Sequence, residues 1–281
     1  MGMVKLYPDR AGIEDLLAMT HHALYRSKAG GKNRLSREWE AGGMGLVWPS
    51  VSDVVETLRQ GARLIVVRQS IRRLSDQAPV GCEYSCRLDL PEYEGPDDFF
   101  RIASKAGILA LVDHHCFRAC LASASQGDPL TSIHINLFSS SLPSTRPQAL
   151  MNRIWGRNLR RRLVVVVEET RRLLPSREWE HCVLAFKRMG ARVALGGVGF
   201  GRGTLDCLLS MEPDLIKLDR RAILGVAGHA SRRAPLERLL KTLRGLSIPV
   251  LAEGVENEAD YRVLRDMGVA LGQGYYWDRP A

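Results

Sequence analysis

From residue 52 onward, short apolar runs alternate with amphipathic stretches, and that alternation constrains the fold more than any other feature. The apolar runs fall at 63–67, 80–87, 132–137, 163–167, 192–195, 215–218, 249–252 and 272–275. Between most of them lie helix-like segments such as 99–110, 179–189 and 236–246. Near-continuous apolar strands separated by helices imply a parallel sheet buried on both faces. A length of 281 residues admits one large α/β barrel or one to two ordinary domains. Eight strand-like runs over roughly 230 residues match the size of a (β/α)8 barrel, so the expected fold class is α/β, a TIM-like barrel.

The composition, 45% hydrophobic and 25% charged, is that of a packed globule and not of a disordered chain. The longest apolar run, 163–167, is far too short to span a bilayer, and the N-terminus lacks a basic-then-apolar leader. A cytoplasmic location without membrane association is therefore expected. The net charge of +9 arises from 40 Lys and Arg against 31 Asp and Glu, with clusters at 157–162, 171–172 and 232–233. No aromatic-interleaved or helix-turn-helix pattern accompanies that charge, so a nucleic-acid partner is not expected. Cysteines at 82, 86, 116, 120, 182 and 207 include two C-x3-C pairs. Without a matching second pair of ligands that spacing is a weak metal signal, and buried free thiols are the expectation.

Four stretches carry the chemistry. Residues 194–205 read Ala-Leu-Gly-Gly-Val-Gly-Phe-Gly-Arg-Gly-Thr-Leu, followed by Asp-Leu-Ile-Lys-Leu-Asp at 214–219, Leu-Ala-Glu-Gly-Val-Glu at 251–256 and Gln-Gly-Tyr-Tyr-Trp-Asp-Arg-Pro at 273–280. Glycines at 197, 199, 201 and 203 do not satisfy G-x-G-x-x-G, and no Gly-Lys-Ser/Thr follows, which argues against a dinucleotide fold or a P-loop. In order and spacing the four stretches resemble the C-terminal half of the EAL family, bacterial phosphodiesterases that open the second messenger cyclic di-GMP. The resemblance covers about four-fifths of the chain and implies the same barrel, with a modified first strand.

The resemblance also implies a site. Family members use two divalent ions to clamp the ester and activate a water, and such ions need several carboxylates around them. Gln69 stands in Gln-Ser-Ile where the family has Gln-Pro-Ile, and Glu83 stands at the Glu of the signature triplet, here Glu-Tyr-Ser. Arg87 matches the arginine that helps bind the dinucleotide, and Asn136 matches the Asn ligand. Lys217 and Asp219 match the Lys-x-Asp pair, Glu253 the Glu of Glu-Gly-Val-Glu, and Gln273 the late Gln. Three carboxylate positions are lost: Val166 replaces the first Glu of Glu-x-x-Glu, of which Glu169 keeps the second, and Gly196 and Gly197 replace the paired aspartates. Ser85 replaces the leucine of the signature, so an apolar contact is expected to be missing. Glu168, two residues beyond Val166, shares its strand face and is expected over the barrel mouth.

These substitutions imply a catalytically inactive EAL-like protein acting in cyclic di-GMP signalling as a dinucleotide sensor, a protein-interaction module, or both. Neither catalytic residues nor a cofactor are expected, and Glu83, Lys217 and Glu253 become vestigial catalytic groups. One alternative is a residual phosphodiesterase holding a single Mg or Mn ion on Glu83, Asn136 and Asp219. The other is an interaction module that no longer binds the dinucleotide, its polar groups satisfying one another. A protein partner is expected, and the chain is also a candidate homodimer. Residues 13–35 read as an amphipathic helix that resembles the closing helix of a GGDEF cyclase domain. The expected organisation is a remnant of such a domain at 1–35, a linker at 36–51 and the barrel at 52–281.

Overall fold

The computed structural model describes residues 2–3, 36–37, 51–90, 96–127, 131–151, 157–168, 176–199 and 204–281. Most of the expected remnant and linker lies outside these residues, as do Glu169 and residues 200–203. Gly2–Met3 pairs in parallel with Ser36–Arg37.

Eight strands close a barrel: β1 (Leu64–Arg73), β2 (Pro79–Leu88), β3 (Ser132–Phe138), β4 (Leu163–Glu168), β5 (Arg192–Val198), β6 (Leu215–Leu218), β7 (Val250–Glu253) and β8 (Leu271–Gln273). Neighbours from β2 round to β8 run parallel. β1 runs antiparallel to both β2 and β8, so the first strand departs from the parallel sheet that the apolar runs imply. The cause is the connection. Only residues 74–78 separate β1 from β2, and a link that short joins antiparallel strands, whereas parallel ones need a crossover of a dozen residues or more. Arg73 and Ala78 close this turn with a backbone bond of 2.9 Å, and Asp76 accepts from Ala78 N at 3.0 Å.

β1 is also longer than its apolar run. Arg68, Gln69 and Ser70 stay in the strand because each pairs with β2, as Tyr84, Glu83 and Cys82 respectively. Among the described residues, ten α-helices flank the strands. Those used below are α3 (Leu109–Ala124), α6 (Arg177–Arg188), α8 (Arg220–Ile223) and α9 (Ala230–Gly245), numbered in chain order from α1 (Val51–Gln60) and α2 (Pro96–Lys105) through α4 (Pro147–Met151), α5 (Arg157–Arg162), α7 (Thr204–Met211) and α10 (Glu258–Asp266). The helix-like stretch 99–110 divides between α2 and α3 at Gly107, whose φ of +69° a helix does not accept.

Two cores result from the alternation of side chains along each strand. Inside the barrel, Ile71, Val164, Val166, Ala194, Leu215 and Leu251 pack on one another. On the other face, Ile133, Ile135, Val165, Val193 and Leu195 pack beneath the helices, against residues such as Phe117 of α3, Phe186 of α6 and Leu243 of α9. β4, reading Leu-Val-Val-Val-Val-Glu, is buried on both faces up to Glu168. The interior apolar layer closes the lower barrel and leaves the inward positions above it to polar side chains.

Candidate functional site

Lys217 is the centre of that polar layer. Its side chain is wholly buried, with Nζ 2.5 Å from Glu83 Oε2 and 2.5 Å from Glu253 Oε1. Asn136 Nδ2 donates to the other Glu83 oxygen at 2.9 Å. These groups come from four strands, β2, β3, β6 and β7, so the barrel closure and not any local motif brings them together. Burial pushes the Lys217 ammonium down, but Glu253, Glu83 and Glu168 around it hold its pKa well above the usual lysine range. Burial likewise pushes Glu83 up, yet Lys217, with hydrogen bonds from Lys217, Asn136 and Gln273, keeps it below the ordinary carboxylate range. At Glu253 burial prevails and the carboxyl is raised. Two carboxylates sharing one buried cation thus titrate apart, as Asn136 and Gln273 also donate to Glu83.

Gly196 and Gly197 stand beside this cluster. Leu195 pairs with Ile216 and Val198 with Leu218, so two glycines of β5 face the single Lys217 of β6, a bulge that kinks the strand end. Gly197 takes φ +66°, the left-handed region that glycine enters without penalty. A Cβ on Gly196 would lie 2.8 Å from Glu168 Oε1 and 2.9 Å from Val166 Cγ1. The space that a side chain at 196 needs is already filled by its neighbours on β4.

Glu168 itself is a half-buried carboxyl. Burial first, then Glu253, raises its pKa to about 8, with Glu83 and Asp219 adding to the rise and Lys217 opposing it. The folded chain therefore holds a proton at Glu168 that the unfolded chain releases near 4.5. Stability from this proton is fully present below pH 4.5 and is lost as pH rises through about 8. Glu168→Gln is expected to flatten the decline in stability between about pH 5 and about pH 9, by on the order of 1–3 kcal/mol. Urea unfolding of both proteins across that range reads the difference, and parallel curves would refute a protonated Glu168.

The remaining expected residues fall into two groups. Gln273 Nε2 donates to Gln69 Oε1 at 2.9 Å, and Gln69 Nε2 donates to the Asp278 carbonyl at 2.8 Å, so both glutamines join the layer of Glu83. Gln69 lies within β1 and not beyond a strand end as the apolar run implied. Arg87 donates to Ser85 Oγ at 3.3 Å and to the Cys86 carbonyl at 3.0 Å. Ser85, expected only as a lost apolar contact, is thus a polar rest for that guanidinium. Asp219 caps α8 through Arg221 N at 2.7 Å and is gripped by the Arg221 guanidinium at 2.8 and 2.6 Å.

Two contributors escaped sequence reasoning. His134, buried on the inner face, pairs in register with Glu83 and bonds Ser132 Oγ at 3.1 Å. Burial, then Lys217, lowers its pKa to about 3, so the imidazole is neutral. Its place two residues before Asn136 was the available signal. Asp278, whose carboxylate accepts from Ser70 N at 3.2 Å, ties the C-terminal segment to β1. No period marks it.

Residues 52–280 match the EAL domain family. The chain belongs to that family. An uncharacterized signaling protein of Caulobacter vibrioides is 30% identical over 99% of this chain and 35% of its own length. A probable cyclic di-GMP phosphodiesterase of Escherichia coli, PdeI, is 26% identical over 77% of this chain and 29% of its own. The chain thus spans about a third of the length of these relatives. An EAL domain protein from Listeria monocytogenes superposes with a TM-score of 0.72 at 21% identity, covering 85% of this chain and 95% of that one. BlrP1 of Klebsiella pneumoniae, solved as a calcium and cyclic di-GMP complex, gives 0.68 at 24% identity over 79% of this chain and 56% of that one. These likenesses carry the EAL fold, including its closed barrel.

The two-ion centre of EAL phosphodiesterases finds a poor fit among the side chains of this barrel. Glu83 accepts from Asn136 and Lys217 on its two oxygens, Glu253 pairs with Lys217, and Asp219 pairs with Arg221. Asn136 Oδ1 is buried without a hydrogen-bond partner. Among the described residues, no three His, Cys, Asp or Glu side chains converge as a metal-binding group. Among those same residues, no helix is long and apolar enough to cross a membrane.

Proposed function

We propose that this EAL-family chain acts in cyclic di-GMP signalling by binding, as a sensor of the dinucleotide, a platform for a protein partner, or both, and does not hydrolyse the phosphodiester. One observation carries the reading: Gly196 and Gly197 stand where the resemblance to the family implies paired aspartates, and Glu168 and Val166 occupy the space that a side chain at 196 would need. The family relatives support the signalling context, since PdeI and PdeN of Escherichia coli are both named as probable cyclic di-GMP phosphodiesterases. Solved EAL proteins such as that of Vibrio cholerae O395 hold cyclic di-GMP.

Metal-free binding is electrostatically reasonable here. The two phosphates of cyclic di-GMP are repelled by bare carboxylates, and this barrel lacks three of them while a fourth, Glu168, stays protonated near neutrality. Arg87 supplies a guanidinium suited to a bidentate phosphate contact. Buried acceptors without partners at Asn136 Oδ1 and Gln273 Oε1 suit the N–H donors of a guanine edge.

Two measurements test the proposal. Incubation of cyclic di-GMP with the protein and Mg or Mn is expected to yield no linear dinucleotide. Turnover that disappears in Glu83→Ala would establish the residual-enzyme alternative on Glu83, Asn136 and Asp219. Calorimetric titration of cyclic di-GMP in the presence of chelator is expected to give saturable heat that falls at least tenfold in affinity in Arg87→Ala, a loss of about 1.4 kcal/mol. A specific observation favours the second reading, a module without the ligand: Lys217 is already satisfied by Glu83 and Glu253, and Arg87 rests on its own strand. Absence of heat at high ligand concentration selects that module.

A further inference from the structure

β2 presents Glu83 and Arg87 to the barrel interior and, one residue away on its opposite face, Cys86 to α3. There the Cys86 thiol donates to the Cys116 carbonyl at 3.7 Å, and its sulfur lies 3.7 Å from Cys120 Sγ. Cys86, Cys116 and Cys120 are 3%, 6% and 2% exposed, so the thiols meet in the dry layer between strand and helix. Cys86 and Cys120 are 34 residues apart in sequence and belong to two elements packed directly on each other. Their sulfurs are already in van der Waals contact, and a disulfide requires them to close from 3.7 Å to about 2.05 Å. Neither cysteine takes part in the polar layer of Lys217.

We infer that Cys86 and Cys120 form a peroxide-sensitive dithiol, a modification site whose oxidised product is a disulfide pinning β2 to α3. The co-reactant is hydrogen peroxide, small and neutral enough to enter such a layer when it opens locally. One sulfur, as thiolate, attacks a peroxide oxygen; the O–O bond breaks, a sulfenic acid forms and hydroxide leaves. The second sulfur attacks the sulfenic sulfur, the S–O bond breaks and a second hydroxide departs. The two thiol protons convert both hydroxides to water, so two thiols and one peroxide give one disulfide and two waters. The bond closes a loop of residues 86–120, which includes the last residues of β2 with Arg87, and restrains the unfolded chain.

The test uses the full wild-type chain, with Cys120→Ser as a control for the thermal readout. Protein treated with hydrogen peroxide is unfolded under alkylating conditions and digested, and dithiothreitol-treated protein serves as the reference. Cleavage after Arg118 separates Cys116 from Cys120, and cleavage after Glu83 separates Cys82 from Cys86, so each linkage is assigned uniquely. The expected result is a linked pair of peptides holding Cys86 and Cys120, with two fewer alkylated thiols and full recovery on reduction. A rise in Tm on oxidation, absent in Cys120→Ser, is expected alongside it. Alkylation of all six cysteines after peroxide, a linkage through any other pair, or irreversible oxygenation at Cys86 would each overturn the assignment.

Discussion

Lys217→Met is expected to be the most damaging single substitution in the barrel, costing about 3–5 kcal/mol of stability near neutral pH. Methionine matches the length of the buried stem, so the change removes the charge while largely preserving volume. Glu83 and Glu253, each 2.5 Å from the ammonium, would then face each other without a cation, with Glu168 alongside. Their pKa values rise in the folded variant, which therefore takes up protons on folding. Stability lost near neutrality is regained as pH falls and the carboxyls protonate. Urea unfolding at about pH 5 and about pH 8 gives both halves of the prediction. A loss below about 1 kcal/mol at the higher pH, or no recovery at the lower one, would show that the ion-pair cluster is not what holds this end of the barrel.

The second large effect follows from placing aspartates at positions 196 and 197, where the resemblance to the family implies them. Gly196→Asp is expected to destabilise the fold by about 1–3 kcal/mol, since its Cβ meets Glu168 Oε1 at 2.8 Å and Val166 Cγ1 at 2.9 Å. Gly197→Asp adds about 1 kcal/mol, because aspartate must adopt the φ of +66° that glycine takes there freely. The double variant Gly196→Asp/Gly197→Asp is expected to remain without phosphodiesterase activity in Mg or Mn. Partial relief of the instability is expected when Glu168→Ala is added, a coupling that a double-mutant cycle between positions 168 and 196 reads directly. Hydrolysis by the two-aspartate variant alone, or additivity of the 168 and 196 changes, would refute a filled site.

The eight strands, their order and the barrel itself were legible in the spacing of apolar runs, because burial on both faces demands such runs wherever a parallel strand lies under helices. β1 was the exception. Its apolar run ends at Val67, but hydrogen bonding to β2 carries the strand through Arg68, Gln69 and Ser70 to Arg73. Its direction was hidden for the same reason: the connection of residues 74–78 is too short for a crossover, but that length shows only once the strand is known to reach Arg73. Glu83, Asn136, Lys217, Glu253 and Gln273 were singled out by the resemblance to the family's motifs. That Asp219 would be gripped by Arg221 was not legible there, since a cap competes with a ligand role only once α8 exists.

By itself the sequence pointed to the family and the barrel through residue identity and spacing, and the resemblance to that family implied the missing carboxylates. Only the tertiary structure decided what became of the vacated positions. Glu168 and Gly196 sit on separate strands, and whether a neighbouring side chain fills the space of a lost one depends on register, pleat and rotamer across the barrel. The same holds for Cys86 and Cys120, 34 residues apart yet in sulfur contact. Closing the barrel, and packing α3 on β2, converts such distant positions into neighbours.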